Sequence, residues 1–153
     1  MKVSSIFIGA FVIIFLFAIL GGFDESGENY SNSKTSAPIM TIEEIKSNAS
    51  VISYDDLMRH NDVYVGDIIY YRGEILQVSE RRTDTYILRV ATKQSTYGYH
   101  DDIIYVNYKG DRLLEGDLID IWGKSKGLKT YEAILGNQIT IPEIDSLHVT
   151  RIT

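Results

Sequence analysis

Cationic and aromatic side chains recur along the chain at positions that suit ligand recognition better than catalysis. The candidate binding residues are Arg72, Arg81, Arg82, Arg89, Tyr105, Asn107, Lys129 and Tyr131. Guanidinium and ammonium groups bind anions, and tyrosine rings stack on bases, sugars or cations. We therefore expect these residues to form a binding surface if the fold brings them together.

The histidines and carboxylates do not predict a catalytic or metal site. Residues 99–102 offer one imidazole and two carboxylates, but a metal site needs three or four converging ligands, so a solvated loop explains them better. The chain has no cysteine, no Ser/His/Asp order and no Gly-rich phosphate loop. We predict no catalytic residue, no metal and no cofactor. An enzyme stays a third hypothesis, which a pocket joining Arg72, Arg89 or His100 to carboxylates would favour.

Alternation with a period of two predicts which side chains reach the outer surface. If Val90 points into a core, Arg89 points outward. If Val106 points inward, Tyr105 and Asn107 point outward. The candidate residues then share the outer face of two strands.

The elements that position these residues are mostly strands. Runs of β-branched and aromatic residues bounded by turn residues predict strands at 66–78, 86–91, 103–108 and 118–124, a short segment at 131–135, and a last strand region at 139–141 and 147–152. Two short helices precede them, because Thr41 with Glu44 and Ser53 with Asp56 have the capping-box spacing.

One internal similarity indicates the architecture. Residues 66–73 and 116–123 both read Gly-Asp, two aliphatic residues, any residue, an apolar residue, a large residue and a closing Gly. The Gly-Asp pair is typical of a turn into a strand, and the closing Gly suits a strand that bends around a small barrel. We predict a mainly β fold, a five-stranded OB-like barrel with strongly coiled first and fourth strands.

An OB-fold binds ligands through strands two and three and through the loops after strands one and four. In this chain those loops hold Arg81 with Arg82, and residues 127–131 with Lys129 and Tyr131. The loops and the outward side chains of the strands together predict one local cationic and aromatic patch.

The amino-terminal residues predict a membrane anchor. Residues 3–23 carry no charge and as a helix span about 30 Å, one hydrocarbon thickness. A cleaved signal peptide is the alternative, but the apolar run is long and lacks an A-x-A site. Lys2 precedes the run and acids follow it, which predicts a cytoplasmic N-terminus and a single-pass protein of the cell membrane. Residues 1–23 are the predicted anchor, 24–38 a flexible linker and 39–153 the barrel domain.

The carboxyl-terminal two thirds of the chain resembles a known family. The motifs are residues 53–57 (Ser-Tyr-Asp-Asp-Leu), 64–66 (Tyr-Val-Gly), 127–132 (Gly-Leu-Lys-Thr-Tyr-Glu) and 136–142 (Gly-Asn-Gln-Ile-Thr-Ile-Pro). They are similar to an uncharacterised family of small exported proteins, mostly of Gram-positive bacteria, with an OB-like domain behind a lipid or helix anchor. Such domains are often labelled tRNA-anticodon-binding-like, which describes the fold. The resemblance implies an OB barrel outside the cell and no catalytic residues; this chain departs from it in lacking a lipidated cysteine.

The overall charge guides the choice of partner. The formal net charge is −6 at pH 7, which disfavours nucleic acid because phosphates require a basic surface. We therefore predict a membrane-anchored, extracytoplasmic, non-catalytic OB-like module that binds an envelope protein, peptide or glycan. The alternative is an oligonucleotide-binding OB-fold protein. The sequence indicates no oligomeric state.

Overall fold

A closed five-stranded barrel with short helices before it is the architecture of the described chain. The computed structural model describes residues 40–133 and 135–152. The elements are α1 (Ile42–Ser47), α2 (Tyr54–Arg59), α3 (Asn61–Tyr64), β1 (Ile68–Arg82), β2 (Thr85–Ser95), β3 (Gly98–Lys109), β4 (Leu118–Glu132) and β5 (Gln138–Ile152). The strand order around the barrel is β1-β2-β3-β5-β4. The β3–β5 pair is parallel and the other pairs are antiparallel. The prediction of a mainly β, OB-like five-stranded barrel is confirmed.

The predicted anchor at 3–23 and linker at 24–38 lie outside the described residues. None of the helices found within residues 40–133 and 135–152 is long and apolar enough to cross a bilayer.

The helices begin where the capping pattern predicts. In α1 the Thr41 hydroxyl accepts a hydrogen bond from the Glu44 amide at 3.2 Å, and the Glu44 carboxylate accepts one from the Thr41 amide at 2.8 Å. In α2 the Ser53 hydroxyl accepts from the Asp56 amide at 3.0 Å, but the Asp56 carboxylate binds the Ser53 hydroxyl instead of its backbone. The second capping box is therefore only half formed. The short α3 was not predicted, because its Asn-Asp start was interpreted as a break.

The two repeated segments pair with each other, which explains their similarity. Residues 68–74 of β1 run antiparallel to residues 118–124 of β4. The Gly66 amide donates to the Ser125 carbonyl at 2.8 Å, and the Gly116 amide donates to the Ile75 carbonyl at 2.8 Å. Gly66 and Gly116 have φ values of +92° and +88°. The repeats are thus two equivalent strand starts related by approximate twofold symmetry, as the sequence predicts.

The closing glycines of the repeats allow close approach between strands. A Cβ added at Gly73 would lie 2.3 Å from the Ala91 carbonyl oxygen, and one at Gly123 would lie 2.6 Å from the Asp145 carbonyl oxygen. Backbone atoms of a paired strand cannot move away from such a contact. Any larger residue therefore opposes the tight curvature of β1 and β4.

The strands are longer than the sequence predicts, and this corrects the location of the second loop. Strand β4 continues through a bulge between Ser125 and Gly127 and pairs with β5 as far as Glu132. Gly127 has a φ of +90°, so the strand bends there without ending. Residues 127–131 therefore lie on a strand and not in a loop. Strand β3 likewise begins at Gly98, five residues before the predicted strand at 103–108.

The core confirms the predicted alternation. Leu88, Val90, Ile104 and Val106 are fully buried inside the barrel, and Leu57 of α2 packs with them. Their neighbours along β2 and β3 therefore reach the outer surface of the barrel.

Candidate functional site

A groove of about 760 Å³ crosses the outer face of the barrel. It is lined by Gln77, Ser79 and Arg81 of β1, Ile87 and Arg89 of β2, Tyr105 of β3, and Tyr131, Glu132, Ala133, Leu135, Asn137 and Ile139 of the β4–β5 hairpin. Its volume lies within the range of about 300–1,000 Å³ that is usual for ligand pockets. We call this surface the groove throughout.

Arg89 lines the groove from β2. It is the register partner of Gln77 on β1 and of Tyr105 on β3. Its Nη1 donates to the Gln77 side-chain oxygen at 3.0 Å. Its guanidinium carbon lies 5.8 Å from the centroid of the Tyr131 ring, within cation–π distance.

Tyr105 and Tyr131 form an aromatic pair beside this arginine. Their ring centroids are 6.1 Å apart and their planes are inclined by 43°. The Lys129 ammonium lies 5.6 Å from the Tyr105 centroid, and Arg81 Nη2 lies 3.5 Å from the Tyr105 hydroxyl. Tyr105 is only 7% exposed, whereas Tyr131 is half-buried. The Tyr131 ring is therefore the more accessible of the two, and Tyr105 packs against it.

Two polar atoms of the site have no partner among the described residues. They are Arg89 Nε and the Tyr131 hydroxyl oxygen, and both are buried. An unpaired buried donor or acceptor costs about 1–3 kcal/mol. Because both belong to side chains that line the groove, the unliganded arrangement leaves hydrogen-bonding capacity unused at this surface.

Lys129 and Asn107 lie where the barrel closes between β3 and β5. Asn107 Nδ2 donates to Glu143 at 3.0 Å and to Asp145 at 2.8 Å. The Lys129 ammonium is 3.7 Å from the same Glu143 carboxylate. Asn107 is therefore occupied in holding the parallel strand pair, whereas the partly exposed Lys129 keeps a weak ion pair that a ligand can replace.

Four of the eight predicted binding residues do not line the groove: Arg72, Arg82, Asn107 and Lys129. Arg72 binds Asp120 side-on, with Nε and Nη2 at 2.8 and 2.9 Å from the two carboxylate oxygens. The Tyr70 hydroxyl donates to the same carboxylate at 2.6 Å. The Arg72 hydrogen bonds outweigh burial and hold the pKa of Asp120 below its usual value. Arg72 thus serves the β1–β4 pair, and Arg82 is exposed at the end of β1 and does not line the groove.

The sequence analysis missed several residues of the groove. Gln77, Ile87, Leu135, Asn137 and Ile139 line it but were not among the candidates. Ile87 lies two residues before Arg89 on β2, so the alternation of side chains along a strand already places both on one face. The hairpin residues gave no such signal, because the extension of β4 and β5 beyond the barrel wall was not predicted.

A second aromatic cluster surrounds Trp122 on β4. Its ring centroid is 5.2 Å from that of Tyr70 and 5.5 Å from that of His148, and the Lys46 ammonium lies 4.6 Å from its centroid. Burial, followed by the charge of Lys46, lowers the pKa of His148, and Glu43 opposes this shift. Trp122 is half-buried on β4.

The candidate metal segment does not bring several ligands together. His100 Nε2 lies 3.7 Å from the Asp101 carboxylate, and both side chains are exposed. Within residues 40–133 and 135–152, no three or more histidine, aspartate or glutamate side chains are grouped so that they could hold a metal ion. The Arg72–Asp120 pair does not line the groove, which joins Arg89 with the single carboxylate Glu132 among its described lining residues.

Comparisons with known proteins find a likeness among solved structures. No family model and no curated protein matches the chain, so kinship to the exported family stays a prediction. Among solved structures, the chain is similar to a small single-stranded DNA-binding protein from Streptomyces coelicolor, with 15% identity and a TM-score of 0.40. The similarity covers 57% of this chain and 94% of that protein.

This likeness contradicts the predicted choice of partner. The prediction of an envelope protein, peptide or glycan, with nucleic acid disfavoured, was wrong by this comparison. Net charge averages over the whole chain and does not describe the groove. Acidic residues in the first turns of α1 and α2 add to the total, whereas Glu132 is the one carboxylate among the described residues that line the groove.

Proposed function

We propose that the barrel binds single-stranded oligonucleotides through the groove and catalyses no reaction on them. The observation that carries this proposal is the position of Arg89 over the Tyr131 ring, in a groove that holds two unpaired polar atoms. The combination offers an aromatic face, a cation and free hydrogen-bonding groups within one concave surface. Single-stranded nucleic acid presents the matching groups, namely base faces, phosphates and base edges.

The aromatic part of the groove favours unpaired bases. Tyr131 is half-buried and accessible from the groove, and Ile87 and Ile139 extend the apolar surface beside it. Stacking of a base on such a ring is worth about 1–3 kcal/mol and tolerates any base. In a duplex the base faces are covered by their neighbours, so this surface favours a single strand.

The cations around the groove suit phosphates. Arg81 is exposed at the wall formed by β1, and Arg82 follows it at the strand end. The Lys129 ammonium lies 5.6 Å from the centroid of the Tyr105 ring, in its weak pair with Glu143. Basic side chains beside an aromatic surface are the arrangement by which single strands are held along their backbone.

The groups that line the groove support binding without catalysis. Among the described lining residues, Glu132 is the one carboxylate and none is a histidine. General acid–base catalysis needs a donor and an acceptor positioned at the same reacting atom. The proposal therefore assigns recognition roles to Arg81, Arg89, Lys129 and Tyr131, and no role in a chemical step.

Fluorescence anisotropy with a labelled oligothymidylate of about 15 nucleotides tests the proposal. The full chain is used in a mild non-ionic detergent, because residues 3–23 are apolar. We expect saturable binding that weakens with salt, with a slope of log K against log salt of about −2 for three phosphate contacts. A duplex of the same length is the control, and we expect it to bind more weakly.

Absence of saturation at about 50 mM salt and about 100 µM protein, the weak end of non-specific nucleic-acid binding, contradicts the proposal. Equal binding of the single strand and the duplex contradicts the assigned role of base stacking.

A further inference from the structure

Arg89 has one edge of its guanidinium held and the other edge free. Nη1 donates to Gln77, which fixes the plane of the group, and the Tyr131 ring lies beside that plane. Nε is buried and has no partner among the described residues. The free edge is therefore the side-on pair of donors, Nε and Nη2, which binds two acceptors placed side by side.

The same chain shows what such an edge binds when an acceptor pair is present. Arg72 uses its Nε and Nη2 to bind both carboxylate oxygens of Asp120, at 2.8 and 2.9 Å. Arg89 lines the groove, and its Nε has no carboxylate or other acceptor among the described residues. The unused capacity of this edge suits a group with two adjacent acceptors.

We propose that Arg89 reads a guanine in the bound strand, an inference that rests on the proposed function. Guanine carries two adjacent acceptors, N7 and O6, whereas adenine at the same edge offers N7 beside an amino donor. Arginine donates two hydrogen bonds to N7 and O6 of guanine. It cannot make both bonds to adenine, because the amino group of adenine is a donor. The groove then prefers single strands that contain guanine.

A phosphate also offers two acceptors, but the surroundings of Arg89 favour a base. The guanidinium is half-buried between Gln77 and Tyr131, and Ile87 lies two residues along the same face. Bringing a charged phosphate into this apolar environment removes its hydration, whereas a base is neutral and stacks on apolar surface. The exposed Arg81 offers phosphates a cation in contact with water.

Competing oligothymidylates of about 12 nucleotides with one central substitution test the inference, on the full chain in detergent. The central base is guanine, adenine or 7-deazaguanine, which keeps O6 but lacks N7. We expect the guanine strand to bind about 5- to 150-fold more tightly than the adenine strand, and 7-deazaguanine to lose most of that gain. Arg89→Lys keeps the positive charge but removes the pair of parallel N–H donors. We expect this variant to bind the guanine and adenine strands equally.

Equal affinity of the native chain for all three strands overturns the inference and leaves the proposed function intact, because Arg89 then contacts the backbone. Binding of no strand overturns both. If Arg89→Lys fails to fold, the comparison of guanine with 7-deazaguanine on the native chain still decides. A preference for guanine that 7-deazaguanine retains in full also contradicts the inference.

Discussion

Arg89 and Tyr131 meet over the groove although their strands are not neighbours. In the barrel order β1-β2-β3-β5-β4, β2 borders β1 and β3, and β4 borders β5 and β1. The guanidinium carbon of Arg89 nevertheless lies 5.8 Å from the Tyr131 centroid. The contact exists because β4 bends at Gly127 and continues with β5 until its end lies over β2 and β3. This extension, not the barrel wall alone, forms the groove.

The accessible ring of Tyr131 provides the first test. We expect Tyr131→Ala to weaken binding of oligothymidylate about 5- to 150-fold, the equivalent of about 1–3 kcal/mol for one lost stacking interaction. Tyr97→Ala is the matched control, since Tyr97 is 96% exposed and does not line the groove. Fluorescence anisotropy measures both variants. Equal losses in the two variants would show that Tyr131 has no specific role.

The unpaired hydroxyl of Tyr131 allows a more conservative change. Tyr131→Phe keeps the ring and removes a buried oxygen that has no partner among the described residues. We expect a smaller loss of affinity for oligothymidylate than in Tyr131→Ala, because the ring remains. We expect a free energy of unfolding that is equal or higher, because no hydrogen bond within the described residues is lost. Urea unfolding measures the stability. A loss of more than about 1 kcal/mol would mean that the hydroxyl is paired in solution.

Arg81 tests the electrostatic part of the proposal. We expect Arg81→Ala to make the slope of log K against log salt less steep by about 0.7, the contribution of one phosphate contact to a single strand. The loss should be similar for strands of different sequence. Arg59→Ala changes the net charge by the same amount on the exposed end of α2 and should leave the slope unchanged. If both variants change the slope equally, the effect of Arg81→Ala comes from the net charge of the protein and not from a phosphate contact.

A substitution at Gly73 tests the close strand packing that allows β1 to bend around the barrel. A Cβ there meets the Ala91 carbonyl oxygen at 2.3 Å, so we expect Gly73→Ala to lower the free energy of unfolding by about 3 kcal/mol or more. At Gly98 a Cβ meets nothing within 4 Å, and the cost of Gly98→Ala is limited to its positive φ, about 1–2 kcal/mol. Urea unfolding distinguishes the two. A mild effect at Gly73 would contradict the close strand approach.

His148 predicts a pH dependence that Trp122 reports. Burial and Lys46 lower the pKa of His148 in the fold, so the folded state favours the neutral ring. This contribution to stability is complete above the ordinary histidine pKa of about 6.5 and is lost as the pH falls toward the lowered value. Trp122 is the single tryptophan of the chain, and its ring centroid is 5.5 Å from that of His148. Its fluorescence should change with a midpoint below about 6.5.

His148→Gln is the control for this titration, because glutamine does not bind a proton in this range. We expect the fluorescence change to disappear in that variant. A midpoint at or above about 6.5, or a change that survives the substitution, would contradict the assignment.

Local patterns in the sequence predict much of this fold. Alternation along β2 and β3 places Arg89 and Tyr105 on the outer face, since side chains of a strand point to opposite sides in turn. The repeated segments predict two equivalent strand starts, and the structure pairs them with each other. Thr41 marks the start of α1 through a cap that needs only four residues. All these signals are short-range or depend on one simple period.

The rest depends on relationships that a single sequence does not display. Asp120 removes Arg72 from the candidate site because the two lie opposite each other in the β1–β4 register. Tyr131 reaches the groove because Gly127 bends β4 without ending it, whereas a glycine in a sequence equally predicts a turn. Net charge does not describe the groove either, because it averages over the whole chain whereas binding depends on the local arrangement of charge.

Photochemical cross-linking tests the central claim, that single strands bind in the groove, most directly. The full chain in detergent is irradiated with an oligonucleotide of about 12 residues that carries 5-iododeoxyuridine, and the cross-linked peptides are identified by mass spectrometry. We predict cross-links to Tyr131 or Tyr105 that unlabelled oligothymidylate suppresses. Cross-links confined to the Trp122 and Tyr70 cluster, or no cross-link that the competitor suppresses, would contradict the account.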